Sequence, residues 1–170
     1  MWSGKTWTSL AYGESISHIG QRAVLLAAEA DPRTVLQGDK PHVIDEWQDV
    51  PEIWDEVRAS VDELGGKPGQ YILTGSSMAG KDRVQHSGAG RISRLRMRTM
   101  SLQESGWSTG SVSLSKLFHG EFEPSAPQQS LLPIADYVCR GGWPSLIRNP
   151  DAEANYLLES YFDALFEVNI

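Results

Sequence analysis

The sequence predicts an α/β fold built on a parallel sheet, and three observations carry the prediction. Short apolar strand patterns at residues 15–19, 42–44 and 71–74 alternate with stretches of helical spacing. Glycine, proline or aspartate punctuates nearly every junction between them. Polar motifs stand where the strands end, which is where parallel sheets bind their ligands.

In chain order, residues 5–12 keep helical spacing until Gly13 interrupts it. Residues 15–19 (SISHI) alternate as a short strand does. Residues 21–30 (QRAVLLAAEA) are rich in Ala and Leu and read as a helix, which Asp31-Pro32 ends. A turn at Gly38-Asp39 and then Pro41 lead into the buried strand His42-Val43-Ile44. Pro51 stands where a helix begins, and Ile53, Trp54, Val57, Val61 and Leu64 recur at helical spacing until Gly65-Gly66. Gly69 opens the strand at 71–74, which Gly75-Ser76-Ser77 closes. Residues 78–90 are small and polar and read as a loop. Residues 91–100 (RISRLRMRTM) alternate polar and apolar, which predicts a half-exposed strand. A helical turn or two is expected around Leu114, Leu117 and Phe118. Residues 121–130, with Pro124 and Pro127, read as a linker. Two helical patterns follow, at 131–139 and 152–166, separated by residues 140–144. The expected domains are therefore a core at 1–120, the linker at 121–130 and a helical segment at 131–170.

Composition bounds the function. With 40% hydrophobic and 22% charged residues in a 170-residue chain, the protein has enough apolar material for a packed core. A net charge of -7 argues against wholesale binding to nucleic acid or anionic membrane, although a local basic patch is compatible with it. The one cysteine, Cys139, has no partner for an internal disulfide, and no Cys/His group has zinc spacing. No apolar run approaches the ~20 residues that span a bilayer. The first residues, MWSGKTWTSL, lack the layout of a signal peptide. A cytoplasmic location is expected.

Four stretches could carry chemistry. Gly4-Lys5-Thr6 opens the first helix. In a phosphate-binding loop the glycine lets the backbone approach, the lysine reaches the β and γ phosphates, and the hydroxyl ligates magnesium. The bare tripeptide is also an ordinary helix start with Ser3 as its cap. Val43-Ile44-Asp45-Glu46 is an apolar strand ending in two carboxylates. Asp45 would complete a magnesium shell and Glu46 would activate a water; the alternative is a solvated acidic pair at a strand end. Residues 72–77 form a strand ending in hydroxyls, with Thr74 and Ser76 the candidates to face the γ phosphate. Those hydroxyls would otherwise simply bond to the backbone of a turn.

The fourth stretch is basic, with Lys81, Arg83, Arg91, Arg94, Arg96 and Arg98. It could supply an arginine to the γ phosphate or meet nucleic acid. For Arg94, Arg96 and Arg98 a solvated strand face is the preferred reading. Arg91 follows Gly88-Ala89-Gly90, a flexible approach suited to a positioned arginine. His18, His42, His86 and His119 occur in unrelated contexts and read as structural or exposed. Trp47, Trp54, Trp107 and Trp143 read as packing residues. The order helix start, Asp-Glu strand, hydroxyl strand is the order an ATPase core requires.

These residues resemble a known group. GKTWTSLAY, PHVIDEWQDVPEIWDEVRASVD, YILTGSS and GAGRISRLRMRTMSLQE are similar to prokaryotic AAA-type P-loop ATPases that carry a C-terminal domain of unknown function. The likeness runs from about Gly4 to Gly106, and residues 136–145 (DYVCRGGWPS) resemble the junction into that further domain. The resemblance implies ATP and Mg2+ as ligands, with Gly4, Lys5, Thr6, Trp7 and Asp45 binding nucleotide and Thr6 and Asp45 serving the metal. Glu46 would be the catalytic base, Thr74 or Ser76 the sensing group, and Arg91 an arginine acting in its own or a neighbouring subunit.

One departure shapes the expectation. Only Met1-Trp2-Ser3 precede Gly4, so the loop's first glycine and the apolar strand before it have no place here. The expected fold is a P-loop NTPase of AAA type: a three-layer parallel sheet lacking its first strand, with a helical C-terminal extension, truncated at both ends. Such a chain is expected to bind ATP weakly and hydrolyse it poorly. A protein partner or homo-oligomer is an open expectation that the resemblance does not specify, and the short apolar runs and net charge argue against a membrane partner. The alternative is a non-catalytic module that binds protein or nucleic acid through residues 81–98. A small-molecule kinase fits less well, since nothing resembles a lid over an acceptor.

Overall fold

The computed structural model describes residues 3–76, 87–121, 132–147 and 151–167. The chain divides into two compact units, Ser3–Arg96 and Met97–Ile170. Ser77, the loop residues 78–86 with Lys81, Arg83 and His86, and linker residues 122–130 lie outside the described residues.

The first unit is a three-stranded parallel sheet with helices on both faces. Its elements are α1 (Lys5–Leu10), β1 (Ser15–His18), α2 (Arg22–Ala30), β2 (His42–Asp45), α3 (Ile53–Glu63) and β3 (Tyr71–Thr74). The strands stand in the order β1-β2-β3, each connection crossing over through a helix, as parallel pairing demands. Register is simple: His18, Asp45 and Thr74 form one row across the carboxyl ends of the strands.

Side-chain alternation assigns the two faces. Ile44 joins a buried core with Ala28 of α2, Val35 and Leu36 of a 3-10 turn, and Ile53, Trp54 and Val57 of α3. Val43 points the other way, toward the segment that follows α1, where an added Cβ on Gly13 would stand 2.3 Å from Val43 Cγ2. Asp45, two residues on, therefore shares the α1 face. Burying side chains such as Ile44 and Ile53 contributes roughly 1.5–3 kcal/mol each. Trp47 and Trp54 meet within this core, ring centroids 5.1 Å apart, and pack as the sequence suggests.

Two 3-10 turns, Pro32–Leu36 and Trp47–Asp49, were not expected. The first is built locally: Asp31 accepts from the Arg33 N–H at 3.0 Å and Pro32 pre-sets the first turn. The half-exposed strand expected at 91–100 is corrected. Those residues form no strand, and Leu95 is 87% exposed. Period-two alternation makes a strand only where a sheet edge supplies hydrogen bonds, and this segment pairs with no strand, although Ile92 packs against the core of the first unit.

The second unit carries α4 (Leu114–Phe118), α5 (Leu132–Arg140), α6 (Pro144–Ile147) and α7 (Asp151–Glu167). Ser101 and Glu104 close a reciprocal capping pair: Glu104 Oε2 accepts from the Ser101 N–H at 2.7 Å and the Glu104 N–H donates to Ser101 Oγ at 3.2 Å. The Ser101 N–H, and the Ser101 hydroxyl that donates to the same Oε2 at 2.8 Å, hold the Glu104 carboxyl below its ordinary range. Leu146 and Ala154 are fully buried here, and Trp107 packs on Tyr137 and Trp143 on Tyr161. Among the described residues no helix is long and apolar enough to cross a membrane.

Candidate functional site

The row His18–Asp45–Thr74 is where the separated motifs meet. β2 delivers Asp45 to the rim because its first three residues are buried and fix the backbone. α1 precedes β1 and runs back against the strands, so its first turn lies at their carboxyl ends. Thr6 Oγ1 donates to Asp45 Oδ1 at 3.0 Å, across 39 residues of sequence. Thr74 Oγ1 donates to the same oxygen, and His18 Nδ1 stands 3.3 Å from Oδ2. Asp45 is thus held at both oxygens, with its side chain 13% exposed.

Glu46 follows in a left-handed conformation, φ 58 and ψ 42. Among the described residues it is the one non-glycine with positive φ. That backbone costs roughly 1–3 kcal/mol and turns the side chain out of the strand's alternation. Its carboxylate lies by the end of β3: Glu46 Oε2 is 3.4 Å from the Ser76 N–H nitrogen and 3.5 Å from Ser76 Oγ, and it accepts from Gln48 Nε2. The two adjacent carboxylates consequently diverge, Asp45 toward Thr6 and Glu46 toward Ser76.

Gly4 enters α1 at φ 80, a left-handed conformation that glycine adopts at no steric cost. No side chain caps the helix, so Ser3 is not the cap; its hydroxyl instead accepts from Lys5 Nζ at 3.4 Å. Trp7 is 81% exposed and stands apart from the row. Arg91 is also elsewhere. Its Nε donates to Asp62 Oδ1 at 2.8 Å, near the end of α3. Since α3 runs back from the end of β2 to the start of β3, Asp62 lies at the opposite edge of the sheet. Arg94 stacks over Trp54, 5.3 Å from the ring centroid.

Sequence reasoning read His18 as structural or exposed, and its side chain is 39% exposed. The pairing that sets it opposite Asp45 is a property of the sheet, which the strand pattern at 15–19 could not show. His42 behaves as expected of a structural histidine. It is 1% exposed, and Nε2 donates to the Val35 carbonyl at 2.9 Å.

Thr6 and Asp45 are hard oxygen donors of the kind magnesium takes. Among the described residues no group of three or more His, Cys, Asp or Glu side chains converges to hold an ion unaided. Magnesium in nucleotide sites uses one or two protein oxygens and completes its shell with phosphate and water, so the donor set fits that use.

Comparison with family models finds one described as an AAA domain, matching residues 3–106, more than half of the chain. That interval contains Gly4, Lys5, Thr6, Asp45, Glu46, Thr74, Ser76 and Arg91. No curated protein and no solved structure matches the chain.

Proposed function

The chain belongs to the AAA domain family, whose domains are nucleotide-binding and ATPase-like, and from that premise we propose that it binds ATP with magnesium at the row His18–Asp45–Thr74 and hydrolyses it there. One observation carries the reading: the hydroxyl that follows Gly4-Lys5 is bonded to the carboxylate ending β2, 3.0 Å away. Two motifs far apart in sequence meet at the rim where parallel sheets take their ligands.

In this reading Lys5 places its charge on the β and γ phosphates, and Thr6 and Asp45 hold magnesium. Magnesium held there would supply charge neutralisation at the phosphate oxygens. Glu46 accepts the proton of an attacking water, with the Ser76 N–H and hydroxyl fixing its carboxylate. Thr74 couples the β3 end to Asp45. Arg91 acts on phosphate only after leaving Asp62, or from a second copy of the chain. Trp7, exposed beside Lys5 and Thr6, is available to the nucleotide from the solvent side. An exposed Cys139 suits a reducing compartment such as the cytoplasm.

Calorimetric titration of ATP, with and without magnesium, tests the proposal. Binding that needs magnesium and is lost in Lys5→Ala supports the reading. If wild type binds no ATP, the alternative gains: a module that docks protein or nucleic acid through residues 81–98, whose nucleic-acid affinity would fall steeply with salt.

A further inference from the structure

We propose that His18 is a positioning residue for Asp45, holding the carboxylate so that Oδ1 stays turned toward Thr6. The proposal rests on the magnesium and nucleotide reading above. His18 ends β1 and pairs in register with Asp45, which in turn pairs with Thr74. All three side chains stand on the face that α1 covers. Thr6 and Thr74 both donate to Oδ1, while His18 Nδ1 meets Oδ2 at 3.3 Å.

An ionised carboxylate only accepts hydrogen bonds, so His18 Nδ1 carries the hydrogen. With donors at one oxygen alone, the carboxylate swings about χ2, a torsion with broad wells. A donor at the second oxygen removes that freedom before any ligand arrives. Such outer partners commonly set metal affinity without touching the metal, by fixing the orientation of the group that serves it. His18 differs from the structural histidine of this unit. His42 is enclosed beneath the sheet, whereas the His18 side chain is 39% exposed at the rim, on the solvent side of a carboxylate exposed only 13%.

The experiment titrates ATP into wild type, His18→Ala, His18→Asn and His18→Gln, with and without magnesium. It also reads the His18 tautomer by heteronuclear NMR in the metal-free protein. Asparagine sets an N–H donor near the position of Nδ1, and glutamine sets one nearer Nε2. Magnesium is expected to tighten ATP binding by wild type. His18→Ala and His18→Gln should lose that gain by about tenfold, and His18→Asn should keep most of it. Affinity without magnesium should be the same in all four, which a general loss of structure would not give. The wild-type ring should show the Nδ1–H tautomer, where a free imidazole side chain prefers Nε2–H. Equal magnesium gains in all four proteins, or an Nε2–H ring in wild type, overturn the role of His18 alone. A wild type whose ATP affinity ignores magnesium overturns the proposed function itself, and the tautomer then decides separately whether His18 positions Asp45.

Discussion

At the scale of the residue, Glu46 combines backbone strain with the proposed role of base. Its left-handed backbone is unfavourable for any side chain with a Cβ, yet it is what turns the carboxylate toward Ser76. Glu46→Gly should therefore raise folding stability by about 1 kcal/mol in urea denaturation while removing ATP turnover. A loss of stability instead would mean that the bonds to Gln48 and Ser76 outweigh the strain. His42 gives a prediction in pH. Burial pushes its pKa below the ordinary 6.5, the bond to Val35 opposes that shift, and the charge of Lys40 adds to it. With the folded value below the unfolded one, the unfolded chain takes up the proton first as pH falls. The stability from neutral His42 is complete above about pH 6.5 and drains away below it, toward the folded-state pKa. His42→Gln, which keeps a donor for Val35, should show a shallower loss across that window. Equal slopes in the two proteins would refute the assignment.

At the scale of the element, α1 is too short to persist alone, since isolated helices need roughly 12–15 residues. Docking maintains it: Thr6 on Asp45, and the chain after it pressed onto Val43 at Gly13. Gly13→Ala would put a Cβ 2.3 Å from Val43 Cγ2 and 3.2 Å from the Ser9 carbonyl. The expected cost is about 1–3 kcal/mol, and Val43→Ala in the same chain should recover part of it. Absence of recovery would show that the crowding against Ser9 dominates. Elements with strong apolar spacing were legible in the sequence: the buried strand 42–44, the half-buried strand 71–74 and the Ile53, Trp54, Val57, Val61 stripe stand where the pattern set them, while Leu64 of that stripe lies exposed just past the helix. The strand pattern at 91–100 failed because pairing belongs to two segments, and alternation in one of them cannot supply the other.

At the scale of the whole molecule, the two units differ in core. Ser3–Arg96 buries residues from both its strands and helices, while in Met97–Ile170 the fully buried apolar side chains among the described residues are Leu146 and Ala154. Local stability follows buried apolar packing. Amide hydrogen exchange should accordingly be slower in β2 and α3 than in α5 and α7, by about tenfold or more. Comparable protection in both would show that the second unit draws on packing beyond those residues. Net charge acts at this scale too. At -7 the chain repels polyanions at long range, so any nucleic-acid affinity through 91–98 must be local and salt-sensitive.

The sequence by itself determined which segments are strands or helices where apolar spacing was strong. It also set which polar residues stand at their ends: Gly4-Lys5-Thr6, Asp45-Glu46, Thr74 and Ser76. These are local properties, fixed by period, propensity and turn residues. Tertiary structure alone decided which of those groups meet. Parallel register set His18 beside Asp45 and Thr74, one left-handed residue swung Glu46 to Ser76, and the return path of α3 carried Asp62, and Arg91 with it, to the far edge of the sheet. Each of these depends on hydrogen bonds between segments distant in the chain, and no single segment encodes them.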